Sequence, residues 1–240
     1  MFRYQQKLYH KLYHKKFLKK AREFTPTEID TYRECLYFLL KNKAESTDKK
    51  FGLKLISITD THGCLVFCEK LLTDILEKNP DYDLCVLLGD IHPKDMEVIT
   101  TYIPREKIIG VVGNHDAYSL YDSFGVRDIS GKPFKYKGVT FAGIEGCYHY
   151  KNGIYPSFTQ YESLWLSHRL PKADILISHD RALDDFQRDT AHIGLIGITY
   201  YIYTNKAKWH LHGHIHDSYS REYENGVKEK SVYLCEYLEI

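Results

Sequence analysis

Residues of the types that bind metal ions follow five short apolar runs of this sequence. The runs are Leu53–Ile58, Leu84–Leu88, Ile108–Val112, Asp174–Ile177 and Trp209–Leu211. The Asp, Asn and His side chains that follow them are Asp60, His62, Asp90, Asn114, His115, Asp116, His179, His212, His214 and His216. Such runs are typical of buried strands, and open α/β folds bind their ligands at the carboxyl ends of the strands. We therefore predict that the five clusters meet at the carboxyl edge of one sheet.

The mixture of imidazole and carboxylate groups indicates a site for divalent transition metals. These ligands suit manganese, iron or zinc, whereas calcium and magnesium sites are mostly oxygen and structural zinc sites use cysteine. Two metal ions about 3.5–4 Å apart activate water and clamp a phosphoryl group, which requires one carboxylate to bridge them. Asp90 is the best candidate for that bridge.

The order of the motifs resembles that of the calcineurin-like metallophosphoesterase superfamily. That order is D-x-H, G-D, G-N-H-D, a lone His after a strand, and G-H-x-H, and all five motifs are present between residues 55 and 216. Three further stretches, residues 143–150, 189–194 and 210–216, resemble the small bacterial-type members near the MPPED-related branch.

The resemblance implies two metal-binding groups that share one residue. The first group is Asp60, His62, Asp90 and His216, and the second is Asp90, Asn114, His179 and His214. The implied cofactor is a pair of divalent ions, with manganese expected and iron or zinc as alternatives. His115 would act as the acid that protonates the leaving oxygen, and Asp116 would orient its imidazole.

Three other residues are candidates for substrate binding. His92 follows the G-D motif closely enough to contact a substrate, although an exposed loop position is the simpler interpretation. His149 stands where the similar proteins often have Arg, and Arg181 is placed to supply that phosphate contact instead. A loop His more often caps a helix or packs against the fold.

The elements that must position these residues alternate between strands and helices. Helical spacing over Leu65–Lys78 and Tyr161–Leu170 separates the apolar runs, which indicates an α/β core with a largely parallel sheet. Val139–Ala142 and Val232–Leu234 are predicted strands of a more antiparallel portion. Together with the resemblance, this pattern predicts a metallophosphoesterase-type α/β/β/α sandwich with an N-terminal helical extension.

Charge divides the chain into a basic extension of residues 1–50 and a catalytic domain of residues 51–240. The chain has 33 Lys+Arg and 32 Asp+Glu, but residues 1–50 alone have 13 basic and 6 acidic residues, a balance of +7. Tyr4–Leu18 has the pattern of a basic amphipathic helix, and Pro26–Lys41 of a second helix. We expect the extension to pack or to mediate self-association, with an anionic partner or a membrane surface as alternatives.

Composition predicts a cytoplasmic protein. Six cysteines without a CxxC pair indicate reduced thiols, and no apolar segment has the length of a transmembrane helix or the form of a signal peptide. The predicted function is hydrolysis of a phosphodiester or phosphomonoester through a metal-bridging hydroxide. Two alternatives are a nuclease that is tethered to polymeric nucleic acid by the extension, and a non-catalytic scaffold that keeps the fold.

Overall fold

The computed structural model describes residues 50–183, 191–205 and 207–240, so the predicted N-terminal helices lie outside the described residues. The strands are β1 (Lys54–Thr59), β2 (Leu84–Leu87), β3 (Ile108–Gly110), β4 (Arg127–Asp128), β5 (Phe134–Tyr136), β6 (Val139–Ile144), β7 (Cys147–Tyr148), β8 (Ser157–Phe158), β9 (Ile175–Ser178), β10 (Trp209–His212), β11 (Tyr219–Glu222), β12 (Lys228–Ser231) and β13 (Leu234–Glu239). The α-helices are α1 (Glu69–Lys78), α2 (Pro93–Tyr102), α3 (Leu120–Phe124), α4 (Gln160–Arg169) and α5 (Ile196–Thr204), and Arg105–Lys107 forms a 3-10 turn.

The first sheet has the strand order β13-β1-β2-β3-β4. Strands β1 to β4 run parallel to one another, and β13 pairs antiparallel with β1. Every residue of β2 is buried, as expected for an apolar strand covered on both faces. The carboxyl ends of β1, β2 and β3 therefore lie at one edge, where Asp60, Asp90 and Asn114 follow them.

The second sheet has the strand order β11-β12-β10-β9-β6-β5. Its four central strands are parallel, and the outer strands β11 and β5 are antiparallel to their neighbours. His179 follows the carboxyl end of β9, and His214 follows that of β10. Strands β7 and β8 form a separate parallel pair.

The two sheets pack face to face between two layers of helices. Leu55 and Val86 of the first sheet share a buried cluster with Phe141, Ile177 and Leu211 of the second. A second cluster lies between the first sheet and the helices α1 to α3, and a third lies between the second sheet and α5. The predicted α/β/β/α sandwich is confirmed.

Three details of the predicted fold are wrong. The ligand clusters follow strands of two sheets rather than one. The sequence could not show this, because both sheets contain buried parallel strands and the local sequence of a strand does not reveal which strand it pairs with. Val232–Leu234 reaches β13 only at its last residue, whereas Val139–Ala142 lies in β6, which pairs antiparallel with β5 as predicted and parallel with β9. Helix α1 begins at Glu69, since turns occupy the preceding residues.

The five cysteines in the described part of the chain, Cys64, Cys68, Cys85, Cys147 and Cys235, form no disulfide with one another. Among the same residues, no helix has the length and hydropathy needed to cross a membrane.

Candidate metal centre

Two groups of predicted ligands converge where the carboxyl edges of the sheets meet. Asp60, His62 and His216 form one group, whose ligand atoms lie within 4.8 Å of one another. Asp90, His179 and His214 form the other group by the same measure. Asn114 joins the second group, because its Oδ1 lies 3.0 Å from His179 Nε2. The structure thus brings all seven predicted metal ligands together.

The two oxygens of Asp60 have different environments. Oδ2 accepts hydrogen bonds of 2.8 Å from the backbone N–H of His214 and from the hydroxyl of Thr59. Oδ1 is buried without a hydrogen-bond partner and lies 3.4 Å from His216 Nε2. A buried carboxylate oxygen that lacks a donor is costly, and a cation shared with His216 would compensate for it.

Asp90 lies between the two groups. Its Oδ1 accepts a 2.8 Å hydrogen bond from the backbone N–H of His115. Its Oδ2 lies 3.7 Å from His62 Nε2 and 3.5 Å from His179 Nε2. One oxygen of this carboxylate therefore fixes the side chain, while the other faces an imidazole from each group.

Hydrogen bonds to backbone carbonyls fix the tautomers of two histidines. His179 Nδ1 contacts the carbonyl of Leu88 at 2.8 Å, and His214 Nε2 contacts that of Ala191 at 3.0 Å. A carbonyl only accepts, so these ring nitrogens carry the hydrogen. The lone pair is left on the other nitrogen of each ring, as metal-binding histidines require.

The electrostatics of the centre favour a positive charge. Burial lowers the pKa of His62 and of His214, which keeps these rings neutral and able to bind metal at neutral pH. Burial alone would also lower the pKa of His179, but Asp90 and Asp60 raise it to about 10, so without a metal ion this ring is protonated at neutral pH and a bound cation would take the place of the Nε2 proton. The Nε2 atoms of His62 and His216 face each other at 3.2 Å. The donor set thus fits divalent cations.

Backbone strain is concentrated in the same residues. Seven non-glycine residues of the described chain have positive φ, and five of these are predicted ligands. These five are Asp60, His62, Asp90, His214 and His216, with φ between 44° and 70°. Such conformations cost on the order of 1–3 kcal/mol each and are typical of functional sites.

Two glycines allow the ligand loops to approach one another. A Cβ on Gly113 would lie 2.1 Å from Asp90 Oδ1, and a Cβ on Gly213 would lie 2.0 Å from the hydroxyl oxygen of Thr59. No side chain fits at these distances. The glycines of the G-N-H-D and G-H-x-H motifs are therefore required by close packing around Asp90 and Asp60.

Asp116 connects two ligand loops. Its Oδ2 accepts from the backbone N–H groups of Asp90 (2.8 Å) and Gly113 (2.7 Å), and its Oδ1 accepts from that of Ile91 (2.8 Å). These bonds hold the loops after β2 and β3 together. They assign Asp116 a bracing role through the backbone, which differs from the predicted orientation of the His115 imidazole.

His115 lies at the exposed side of the centre. Its ring centroid is 5.4 Å from that of His62, with the rings nearly perpendicular. Its side chain is exposed, while its backbone N–H is held by Asp90. The imidazole is therefore accessible from solvent at the edge of the candidate centre.

The three candidate substrate contacts have different environments. His92 is the N-cap of α2, where its Nδ1 accepts from the N–H of Lys94, so the capping interpretation accounts for it. His149 is exposed, and its Nδ1 lies 2.8 Å from the hydroxyl of Ser157. Arg181 is buried, and its Nε lies 3.5 Å from the carbonyl of Ala182.

Sequence reasoning missed two acidic residues near the centre. Asp95 is buried in the first turn of α2 and accepts from the N–H groups of Gly63 (2.7 Å) and Val66 (3.1 Å), which holds the loop that contains His62. Glu229 of β12 forms a third compact group with His210 and His212. An acidic residue in the first turn of α2 can be read from the sequence. The groups that Asp95 and Glu229 contact cannot, because tertiary packing brings them together.

A family model and several solved structures are similar to this chain. The family model of the calcineurin-like phosphoesterases matches residues 53–218. A dimetal phosphatase from Danio rerio has 10% sequence identity and a TM-score of 0.52, over 76% of this chain and 87% of that chain. Yfce, a phosphoesterase from E. coli, has 13% identity and a TM-score of 0.42, over 75% and 78%. No curated protein is a significant sequence match.

At such identities the first of these solved structures supports the fold alone, whereas the family model also covers the candidate centre. Its match spans more than half of the 240 residues and includes all seven predicted ligands. The chain belongs to the calcineurin-like phosphoesterase family.

Proposed function

We propose that this protein hydrolyses a phosphodiester or a phosphomonoester with the help of two divalent metal ions. The position of Asp90 carries the proposal, because its Oδ2 lies within 4 Å of an imidazole nitrogen from each ligand group. A carboxylate oxygen in that position suits a bridge between two ions. The family to which the chain belongs supports metal-dependent phosphoesterase chemistry in general.

In this proposal the two ligand groups divide the ions between them. Asp60, His62, Asp90 and His216 hold one ion, and Asp90, Asn114, His179 and His214 hold the other. Manganese is expected, because the sites combine imidazole with carboxylate and amide oxygen, and iron or zinc would also suit them. When bound, the ions supply Lewis-acid activation of the phosphoryl group and of water.

His115 is the proposed general acid. Its exposed imidazole lies beside His62 at the edge of the centre, within reach of a bound substrate. Protonation of the leaving oxygen by this ring would aid departure of poor leaving groups. The exposed imidazole of His149 is a further candidate for a phosphate contact.

The test measures metal content and activity in one preparation. Inductively coupled plasma mass spectrometry of the purified full-length protein should find about two transition-metal ions per chain after incubation with Mn²⁺. Hydrolysis of bis-p-nitrophenyl phosphate and p-nitrophenyl phosphate should depend on Mn²⁺, and the ratio of the two rates gives the preference for diester or monoester. Absence of both metal uptake and turnover would contradict the proposal and favour a scaffold.

A further inference from the structure

A buried polar network lies beside the second ligand group. Glu229 of β12 is its centre, and His210 and His212 of β10 contact the two oxygens of the Glu229 carboxylate. All three side chains are 0% exposed. We call these residues, together with Ser178 and the β11 residues Tyr219 and Arg221, the Glu229 network.

The donors around Glu229 argue against a third metal ion, although the His210, His212 and Glu229 ligand atoms lie within 4.8 Å of one another. Arg221 Nε lies 2.9 Å from Oε1, and Arg221 Nη2 donates to Oε2 at 3.1 Å. Tyr219 also donates to Oε1, at 2.8 Å. The guanidinium already balances the carboxylate charge, and a divalent cation would be repelled by it.

One arm of the network leads to His179. His210 Nδ1 lies 3.4 Å from Glu229 Oε2, and the opposite ring nitrogen lies 2.7 Å from the hydroxyl of Ser178. That hydroxyl donates its one hydrogen to the carbonyl of Asp180 at 2.6 Å, so its oxygen accepts from the His210 ring. Ser178 and Asp180 flank His179, so this arm fixes the backbone on both sides of a proposed ligand.

The other arm leads to His214. His212 Nε2 lies 3.3 Å from Glu229 Oε1, and His212 Nδ1 donates to the carbonyl of Gly213 at 2.9 Å. Gly213 in turn donates its N–H to the carbonyl of His179 at 3.0 Å. This arm therefore fixes the peptide that precedes His214 and ties it to the loop of the first arm.

We propose that Glu229 is a positioning residue that holds His179 and His214 in the geometry of the second metal site, an inference that rests on the proposed function. The Glu229 carboxylate accepts from the Arg221 guanidinium and from the Tyr219 hydroxyl, and it packs against both imidazoles. Its loss would leave these donors without their acceptor and the two rings without the group that holds them in place. Burial raises the pKa of Glu229, but its contacts with His210 and His212 hold it well below its usual range, which keeps the acceptor ionised.

The test is Mn²⁺ titration of the full chain by calorimetry, with wild type and Glu229→Gln compared. Gln keeps the volume of the side chain and one acceptor oxygen but removes the charge. We expect one of the two Mn²⁺ equivalents to bind about 10–100-fold more weakly, as is typical when a group that orients metal ligands is lost. In a His62→Ala background, where the first group is incomplete, Glu229→Gln should weaken the remaining equivalent by a similar factor.

Asp83→Asn is the matched control. Asp83 is also a buried carboxylate, paired with Lys137 Nζ at 2.5 Å, but it precedes β2 at the end opposite Asp90. This variant should lower the unfolding temperature yet bind both Mn²⁺ equivalents as wild type does. Weaker Mn²⁺ binding in Glu229→Gln could then not be explained by loss of stability alone.

Several outcomes would overturn the inference. Equal Mn²⁺ binding by wild type and Glu229→Gln would show that Glu229 only stabilises the fold. Three equivalents in wild type and two in the variant would make the network a metal site of its own. If wild type binds no Mn²⁺, the proposed function itself is contradicted, and this result is distinguishable from the two results above. If Glu229→Gln does not fold, Glu229→Asp takes its place, because it keeps the charge but withdraws the carboxylate by one methylene from His210 and His212, and unchanged Mn²⁺ affinity in that variant would also refute the inference.

Discussion

Asp90 Oδ2 lies 3.5 Å from His179 Nε2, although Asp90 follows β2 of the first sheet and His179 follows β9 of the second. The contact therefore spans the interface between two sheets that are joined by the buried cluster of Val86 and Ile177. Close packing of such a core leaves little freedom for one sheet to slide on the other. The geometry of the metal centre thus depends on how the sheets pack.

Removal of the proposed bridge should abolish metal binding. In Asp90→Ala both ligand groups lose the oxygen that faces them, so we expect less than one Mn²⁺ per chain and hydrolysis at the background rate. Mass spectrometry of the purified variant measures the metal content. Two ions per chain in this variant would refute the bridging role.

Removal of the proposed acid should leave the metal content unchanged. His115→Ala keeps all seven predicted ligands, so Mn²⁺ binding should match wild type. Hydrolysis of phenyl phosphate should fall by about 10²–10⁴-fold, whereas p-nitrophenyl phosphate should lose much less, because its leaving group needs no proton. Equal losses on the two esters would contradict an acid role.

Asp116→Asn distinguishes the bracing role from the orientation of His115. The amide replaces an oxygen that accepts from a buried N–H, so we expect a loss of about 1–3 kcal/mol of unfolding free energy. Mn²⁺ affinity should fall as well, since the loops of Asp90 and Asn114 loosen. Both effects are measurable by thermal denaturation and calorimetry. A leaving-group dependence like that of His115→Ala, with normal Mn²⁺ affinity, would support orientation instead.

Glu145, at the end of β6, should make stability depend on pH. Burial and the nearby Asp128 raise the pKa of Glu145 to about 7, above its usual value of 4.5. Between these values the native state binds more protons than the unfolded state, so stability falls as pH rises from 4.5 to 7.

The variant Glu145→Gln removes that titration. We expect it to be more stable than wild type at pH 8, by about 1 kcal/mol when partial solvent screening is allowed for, and to show no such gain at pH 4. Unfolding temperatures at the two pH values give the comparison. If Glu145→Gln raised the unfolding temperature equally at pH 8 and pH 4, ionisation of Glu145 would be excluded as the cause.

Several parts of the site were predictable because local sequence determines them. An apolar run that ends in Asp60 or Asp90 specifies both a buried strand and a polar group at its carboxyl end. Local pattern could not show that Asp60 and His179 belong to different sheets, because parallel buried strands have the same composition in each.

The sequence by itself determined which residue types stand at the strand ends, because periodicity and motif spacing act over a few neighbouring positions. Only the tertiary structure decided how the two sheets face each other and which distant groups support the ligands. Asp116 accepts a hydrogen bond from Asp90, which is 26 residues away in the sequence, and Glu229 contacts His212, which is 17 residues away. Such contacts depend on strand pairing and sheet packing, whose free energy is shared by the whole core and is not encoded at either position.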